Sequence, residues 1–143
     1  MEIIRLTNKT LDLAKDAARL FYGAKPETLI NERFFNNDSN IMYVAVEDGK
    51  VIGNVYGYIL QRFDMPKNQL FLYSIDVLDT HQKKGIGKAL VYAFLTHMNK
   101  KEIHNAFVLT NKGNASAMKL YQSTGAEIIT SGEGEDILFK WTP

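Results

Sequence analysis

The sequence predicts a single α/β domain, residues 1–143, in which a mixed, mostly antiparallel sheet is flanked by helices in the order β-α-α-β-β-β-α-β-α-β-β. Three observations carry this prediction. The chain of 143 residues has the usual size of one domain and contains no linker-like run or internal repeat. Two β-rich runs are joined by Asp48-Gly49, a pair that favours a tight hairpin. Two later stretches repeat apolar residues at the spacing of a helix.

The first half of the chain is predicted to contain a strand, two helices and a hairpin. A short apolar run, 3–6, precedes a stretch with apolar residues at helical spacing. Those residues are Leu11, Ala14, Ala18 and Phe21. A second helix is predicted after Pro26, because an acidic residue in its first turn suits the helix dipole, and it should end before the polar loop 36–40. The hairpin strands are predicted at 42–47 and 51–63.

The second half alternates strands and helices before it closes with two strands. The longest helix is expected to follow an apolar strand directly, and the last helix should stop near Gly125, a natural left-handed terminator. The six elements are predicted at 70–78, 85–100, 106–110, 115–123, 127–130 and 137–141. This alternation supports helices packed on a sheet.

Composition limits the chemistry that this domain can use. With 17 basic and 16 acidic residues the net charge is +1, which gives no general attraction to nucleic acid or to an anionic membrane. The absence of Cys excludes thiol nucleophiles, disulfides and Cys-ligated metals, and the histidines lack metal-ligand spacing. No apolar run is long enough for a membrane span or a signal peptide. We therefore expect a cytoplasmic protein without a metal cofactor.

The segment 82–88 lies between an apolar strand and the longest predicted helix. Free N–H groups and the helix dipole at such a start form an anion site, and glycines let phosphate approach closely. In the other interpretation, the two glycines only shape a turn. A Walker loop is not matched, because Gln82 stands in place of its first glycine and Ala89 in place of its hydroxyl. A dinucleotide fingerprint lacks its third glycine, which Leu90 replaces, so neither ATP nor NAD is favoured.

A second group of residues lies on the last predicted helix. Helical spacing puts Asn114, Ala117 and Tyr121 on roughly one face of this helix, which ends near Gly125. The side chain of Tyr121 is then expected to face the loop 82–88. In the other interpretation, Tyr121 is a half-buried aromatic residue that uses its hydroxyl as a polar handle.

Together, the glycine-bearing loop, the strand after its helix and the Asn-x-x-Ala-x-x-Leu-Tyr helix resemble the GNAT family of N-acetyltransferases. The resemblance covers residues 69–126 and extends to the order of elements. It implies acetyl-CoA as cofactor, with pantetheine between two diverging strands and Tyr121 near the thioester sulfur. It also implies that Ile75 and Val77 meet pantetheine through their backbone, that Gln82, Lys83, Lys84, Gly85, Ile86, Gly87 and Lys88 hold the pyrophosphate, and that Asn114 and Ala117 contact the cofactor arm.

Within this family, residues 53–77 are similar in length and pattern to the aminoglycoside 3-N-acetyltransferases. Those enzymes carry an acidic residue after the strand tyrosine, whereas this chain has Ser74 after Tyr73, and Asp76 follows two positions later. Alternation along a regular strand keeps Ser74 and Asp76 on the same face. The resemblance implies a small primary amine as the acceptor, aminoglycosides included.

Acetyl transfer to an amine needs an unprotonated nitrogen, a stabilised oxyanion and a proton for the departing thiolate. Tyr121 is the candidate acid. Asp76 is the candidate base, acting directly or through water; its other interpretation is an ordinary carboxylate at a strand end, and the amine can also arrive neutral. The predicted acceptor site comprises Phe63, Asp64, Ser74 and Asp76. No step requires a metal.

Several functions stay open from the sequence. The favoured one is an acetyl-CoA-dependent N-acetyltransferase acting by direct attack in a ternary complex, with a protein amino terminus or lysine as the alternative acceptor. The others are an acyl-CoA-binding regulatory module without turnover and a structural domain whose loop is only a turn. The acidic residues Glu133, Glu135 and Asp136 are interpreted as a solvated loop, with attraction of a polyamine-like acceptor as the alternative. A homodimer also stays open.

Overall fold

The computed structural model describes residues 1–25, 30–100, 102–130, 134 and 136–143. Its strands form one seven-stranded sheet in the order β1-β2-β3-β4-β5-β7-β6, with helices on both faces. The strands are β1 (Glu2–Arg5), β2 (Asn40–Glu47), β3 (Lys50–Leu60), β4 (Asn68–Val77), β5 (Ile103–Asn111), β6 (Glu127–Thr130) and β7 (Asp136–Trp141). The α-helices are α1 (Leu11–Tyr22), α2 (Ile86–Leu95) and α3 (Ala115–Ser123). Among these strands β4 and β5 run parallel and the other neighbours antiparallel, which confirms the predicted fold class.

The β2–β3 hairpin has the turn that the sequence predicts. Asp48 and Gly49 both have positive φ, 52° and 77°, which is the type I′ geometry whose twist suits the flanking strands. Glu47 and Lys50 pair on either side of this two-residue turn. The turn therefore helps to fix the register of β3, and with it the side of the sheet that each β3 side chain faces.

The second predicted helix differs from the structure. A short 3-10 helix, Glu32–Asn36, occupies the later part of the predicted span. Phe34 and Phe35 are consecutive, and both rings pack against the core beneath α1. A tight 3-10 turn allows two neighbouring side chains to reach the same core, whereas an amphipathic α-helix does not need both of them there. The predicted start after Pro26 lies outside the described residues.

The helices divide between the two faces of the sheet. Alternate residues of β2 show this division, since Ile41 belongs to the core under α2 and Met42 to the core under α1. Leu90 and Phe94 of α2 are fully buried, and burial of side chains of this size contributes about 1.5–3 kcal/mol each. Ala17 of α1 is fully buried as well, and its small side chain lets α1 approach the sheet. Within the described residues, no helix combines the length and apolar character needed to cross a membrane.

β4 and β5 are neighbours at one end only. Their parallel register ends at Phe71 and Phe107, whereas β4 continues to Val77 and β5 to Asn111. The strands therefore separate beyond that point. We call this opening, bordered by the later parts of β4 and β5, the β4–β5 gap.

A β-bulge in β4 lies beside the gap. The ladder with β3 shifts register between Tyr56 and Gly57, which makes Tyr73 the extra residue of β4. A Cβ on Gly57 would lie 1.9 Å from the carbonyl oxygen of Phe71, so the close approach at the bulge requires glycine. As a result, the consecutive residues Tyr73 and Ser74 both reach groups on the α1 side of the sheet.

Candidate active site

The loop 82–88 starts α2 with free backbone donors. Lys83 and Gly85 have positive φ values of 62° and 82°, and Gly85 is the N-cap of the helix. Within the described part of the chain no side-chain cap is made here, and the first intrahelical bond runs from the Ala89 nitrogen to the Gly85 oxygen. The N–H groups of 86–88 are therefore available to an anion, and the helix dipole favours it.

The lysine charges of this loop and a hydrogen bond to β4 also favour anion binding here. Lys83, Lys84 and Lys88 are exposed, and the first turn of α2 carries no acidic residue. Gln82 donates its Nε2 to the Val77 carbonyl at 3.2 Å, which ties the loop to the end of β4. A phosphate at this position meets N–H dipoles and positive charges together. The structure thus brings the predicted phosphate-binding residues to one helix start.

α3 packs beside the start of α2. Its N-cap is Asn114, whose Oδ1 accepts from the Ala117 nitrogen at 3.1 Å. The side chain of Asn114 is exposed, so its amide nitrogen is left for a ligand. A Cβ on Gly87 would lie 3.3 Å from Leu120 Cδ2, and the glycine therefore allows the two helices to approach. Asn114 has a capping role in addition to its predicted contact with the cofactor.

Ile75 and Val77 border the β4–β5 gap. Their side chains are partly buried and pack against the core under α2. On one edge they pair with Val55 and Gly53 of β3, while on the other edge β5, which is described in full, does not pair with this part of β4. The gap can therefore accept an extended ligand along β4, as a further strand would lie there.

Tyr121 lies on α3 and packs against the last strand. Its side chain is 4% exposed, and its ring centroid is 5.6 Å from that of Phe139 and 5.7 Å from that of Trp141. Burial, and then the negative charge of Asp76, raise the pKa of Tyr121 to about 12. Tyr121 is therefore a neutral hydrogen-bond donor near pH 7, and Asp76 is close enough to influence it.

Cross-strand pairs align polar and aromatic side chains on the α1 side of β3 and β4. The pairs are Asn54 with Asp76, Tyr56 with Ser74, and Tyr58 with Phe71. Because β4 is regular after the bulge, Ser74 and Asp76 share a face, as the alternation predicts. The candidate base thus lies at one end of a row that continues into aromatic residues.

A hydrogen-bonded chain joins α1 to Asp76. The Tyr22 hydroxyl donates to Asn54 Oδ1 at 3.0 Å and lies 2.8 Å from Ser74 Oγ, which in turn donates to Asp76 Oδ2 at 3.4 Å. Two hydroxyl protons serve these three contacts, so one contact always lacks a donor. Burial is the main cause that raises the pKa of Tyr22, and its proton stays bound. Asp76 is held by one long contact and keeps capacity to accept from a ligand.

The sequence alone does not single out Tyr22 or Asn54. Tyr22 follows the apolar spacing of its helix and looks like a core aromatic residue. Asn54 is fully buried, and its Nδ2 has no hydrogen-bond partner among the described residues. A polar residue inside an otherwise apolar strand is the signal that could have identified Asn54, because burying an amide is costly unless it binds a neighbour.

Aromatic rings extend this face away from Asp76, and we call them the aromatic wall. The wall consists of Tyr22, Phe34, Tyr56, Tyr58, Phe71, Tyr73 and Phe107. Centroids of neighbouring rings lie 4.7 to 6.4 Å apart. Burial, with smaller contributions from nearby tyrosines and Asp76, raises the pKa of Tyr56 to about 12, so this phenol stays neutral. The wall therefore combines apolar rings with the neutral hydroxyl of Tyr56.

Phe63 and Asp64, the other predicted acceptor residues, are not brought to Asp76. They lie in the β3–β4 loop, where Phe63 is fully exposed and Asp64 accepts two bonds from Arg62, at 2.8 and 2.5 Å. Along β4, which rises about 3.3 Å per residue, Asp76 is about 23 Å beyond Gln69 at the loop end. The structure groups Ser74 and Asp76 with the aromatic wall and leaves the loop at the far end of the hairpin.

His97 and the predicted acidic cluster are not part of the candidate site. His97 is buried on the opposite side of the sheet core, next to α2. Among the residues that the structure describes, no three His, Asp or Glu side chains are grouped so as to hold a metal ion. Of the predicted acidic cluster, Asp136 begins β7, while Glu133 and Glu135 lie outside the described residues.

Comparison with known sequences identifies relatives of this chain. The model of the acetyltransferase (GNAT) family matches residues 8–126. N-acetyltransferase 8B of Homo sapiens is 28% identical over 96 residues, which cover 67% of this chain and 42% of that protein. The chain therefore spans less than half the length of this curated relative.

Solved structures share the fold. An aminoglycoside acetyltransferase, meta-AAC0020 from an uncultured soil metagenomic sample, in complex with sisomicin, superposes with a TM-score of 0.76 at 24% identity, over 93% of this chain and 90% of that one. The aminoglycoside N-acetyltransferase AAC(6')-Iy in complex with CoA gives 0.72 at 21% identity, over 87% and 86%. The likeness in fold includes aminoglycoside acetyltransferases as a group, which is coarser than the predicted resemblance to 3-N enzymes.

Proposed function

The chain belongs to the GNAT acetyltransferase family, an acyltransferase family that uses acetyl-CoA, and we propose that it acetylates a small primary amine by direct attack in a ternary complex. One observation carries the proposal. The later part of β4, which carries Asp76, borders the β4–β5 gap, and the charge of Asp76 contributes to the raised pKa of Tyr121.

In this proposal the donor lies along the gap and across the start of α2. The N–H groups of 86–88 and the exposed lysines of the loop stabilise the pyrophosphate. The backbone of β4 beside Ile75 and Val77 bonds with the amides of pantetheine, and the amide nitrogen of Asn114 contacts the cofactor arm. Tyr121 would then be the side chain that donates to the acetyl thioester.

The acceptor arrives as an ammonium and binds beside Asp76. Asp76 takes one proton, directly or through water, and the neutral nitrogen attacks the carbonyl carbon of the thioester. The C–N bond forms, the C–S bond breaks, and its electron pair leaves with sulfur. The nitrogen loses its second proton as the thiolate gains one. The products are the N-acetylated amine, the thiol of CoA and the proton that Asp76 later releases.

Tyr121 serves this reaction as a hydrogen-bond donor. The pKa of Tyr121, about 12, is well above that of an ordinary thiol, about 8.5, so complete transfer of its proton to the thiolate is unfavourable by roughly 5 kcal/mol. A neutral phenol can still donate to negative charge that develops on sulfur, and such donation is strong in a site that excludes water. The predicted acid therefore acts without losing its proton.

Release of CoA thiol from acetyl-CoA across a panel of primary amines tests this function. The panel includes small amines, an aminoglycoside, and peptides with a free amino terminus or a lysine. We expect release that depends on a small amine, and we expect Asp76→Asn and Tyr121→Phe to lose turnover while they still bind acetyl-CoA. Binding of acetyl-CoA without release in any arm would identify a regulatory module, and release with peptides alone would identify a protein acetyltransferase.

A further inference from the structure

The residues around Asp76 restrict which amine can bind. We infer that the acceptor is a primary monoamine that carries an aromatic group, with its ammonium at Asp76 and its ring against the aromatic wall. The inference rests on the proposed amine acetylation and adds the class of amine. Its basis is the bulge in β4, the exposed rings beside it and the single carboxylate, within the described chain, whose charge acts on the nearby hydroxyl groups.

The bulge puts an exposed ring directly beside the polar chain. Tyr73 is 57% exposed, and its ring centroid lies 5.3 Å from that of Tyr56 and 5.9 Å from that of Phe71. The next residue, Ser74, is part of the hydrogen-bonded chain to Asp76. A short linker between ammonium and ring is therefore enough to reach both, and aromatic rings add a geometric preference to the burial of apolar area.

The far end of the wall lies where the β4–β5 gap begins. The rings of Phe71 and Phe107 are stacked with centroids 4.7 Å apart and an angle of 3° between their planes. They stand on the last paired residues of the two strands, and both are only partly buried. Apolar surface thus continues from Tyr73 to the mouth of the gap, and a ligand ring can cover it.

The charges near the wall match one ammonium group. Asp76 is the carboxylate whose charge acts on Tyr22, Tyr56 and Tyr121. No second carboxylate of the described chain acts on these three hydroxyl groups. A polyamine or an aminoglycoside at this site would hold its further ammonium groups against aromatic rings, and among the described residues no second carboxylate acts there to compensate the desolvation.

The test compares 2-phenylethylamine, ethylamine, spermidine and sisomicin as acceptors at saturating acetyl-CoA. We expect kcat/KM for 2-phenylethylamine to exceed that of each other amine by about tenfold or more. Tyr73→Ala should lower the value for 2-phenylethylamine by about threefold to tenfold more than it lowers the value for ethylamine. Tyr92→Ala is the matched control, because Tyr92 is 51% exposed on α2 and contacts no ring of the wall.

Three outcomes would overturn the inference and leave amine acetylation intact. The first is a higher kcat/KM for spermidine or sisomicin than for 2-phenylethylamine, and the second is equal kcat/KM for 2-phenylethylamine and ethylamine. The third is an equal loss in Tyr73→Ala and Tyr92→Ala. Bound acetyl-CoA, measured by calorimetry, with no thiol release in any arm would overturn the proposed function itself.

Discussion

The donor and acceptor sides of the candidate site are built from different groups. The donor side uses mainly backbone, which comprises the free N–H groups at the start of α2, the left-handed Gly85 and the edge of β4 along the gap. The acceptor side uses side chains from α1, β3 and β4. Backbone groups are the same whatever residues carry them, whereas a side-chain surface changes with one substitution. Because of this difference, the donor-binding side can stay the same while the acceptor-binding side changes from one chain to another.

The largest effect is expected at Tyr121, where the two sides meet. Tyr121→Phe keeps the ring and its packing but removes the donor, so turnover should fall by about 10²- to 10³-fold, as for other lost donors to developing charge. Acetyl-CoA affinity by calorimetry should stay within about twofold. Near-parental turnover in the folded variant would show that Tyr121 only packs against Phe139 and Trp141.

Asp76→Asn is expected to have the next largest effect and to touch only the acceptor side. Turnover should fall by about 10²-fold near pH 7, because the variant cannot take the proton of the bound ammonium. The deficit should shrink as pH rises, since more of the amine is then neutral in solution. A pH–rate profile of the same shape as the parent would rule out Asp76 as the base.

The pH profile of Asp76→Asn can be measured only where the protein stays folded, and His97 is expected to lower the free energy of unfolding at low pH. Burial, and then the charges of Arg5 and Lys100, lower the pKa of His97 from 6.5 to about 4. Between about pH 6.5 and pH 4 the unfolded chain binds this proton and the folded chain does not. The stability is therefore complete above about pH 6.5 and falls toward pH 4 by up to about 3 kcal/mol. Urea unfolding at several pH values measures this loss, which His97→Gln should largely remove; an equal loss in His97→Gln would assign it to other groups.

Gly85→Val probes the donor side alone. A β-branched residue is strained at the φ of +82° found there, so the loop should shift and acetyl-CoA affinity should fall by about tenfold. Gly49→Val is the matched control, because Gly49 has φ of +77° with open space around its Cβ position, but lies in the β2–β3 turn. Both variants should lose similar stability. Equal acetyl-CoA affinity in the two variants would show that this loop is not part of the cofactor site.

Tyr22→Phe should have the smallest effect, since Tyr22 acts through its neighbours. It removes the donor to Asn54 and the contact with Ser74, so kcat/KM should fall by about threefold. The free energy of unfolding should also fall by about 1 kcal/mol, because the buried Asn54 oxygen loses its partner. Tyr92→Phe on α2 controls for loss of a phenol. Unchanged kcat/KM would show that this hydrogen-bonded chain plays no part in catalysis.

The fold was accessible from the sequence where its signals are local. The hairpin turn at Asp48-Gly49 and the apolar spacing over 85–100 depend on neighbours in the chain. The first led to the observed turn, and the second to α2, which ends at Leu95 and is followed by a 3-10 helix, Thr96–Asn99. The 3-10 helix Glu32–Asn36 was missed, because its form depends on where two adjacent rings pack in the core. Local patterns cannot contain that information.

The same limit applies to the site. The loop 82–88 could be predicted, because a helix start offers N–H groups through its own backbone. The contact of Tyr22 with Ser74 joins residues 52 positions apart, and no spacing rule connects them. The pattern of residues 53–77 predicts Phe63 in the acceptor site, yet a hairpin carries its loop away from its strand ends.

The bulge at Tyr73 also has an evolutionary consequence. A strand that alternates strictly cannot grow or shrink by one residue without exchanging its inner and outer faces. In β4 the extra residue is already excluded from the ladder, so loss of Tyr73 would leave Leu72 and Ser74 on the faces they now occupy. At this position a one-residue deletion trims the proposed acceptor surface and spares both the core and the candidate base Asp76. Related chains can therefore diverge in acceptor choice through strand length as well as through substitution.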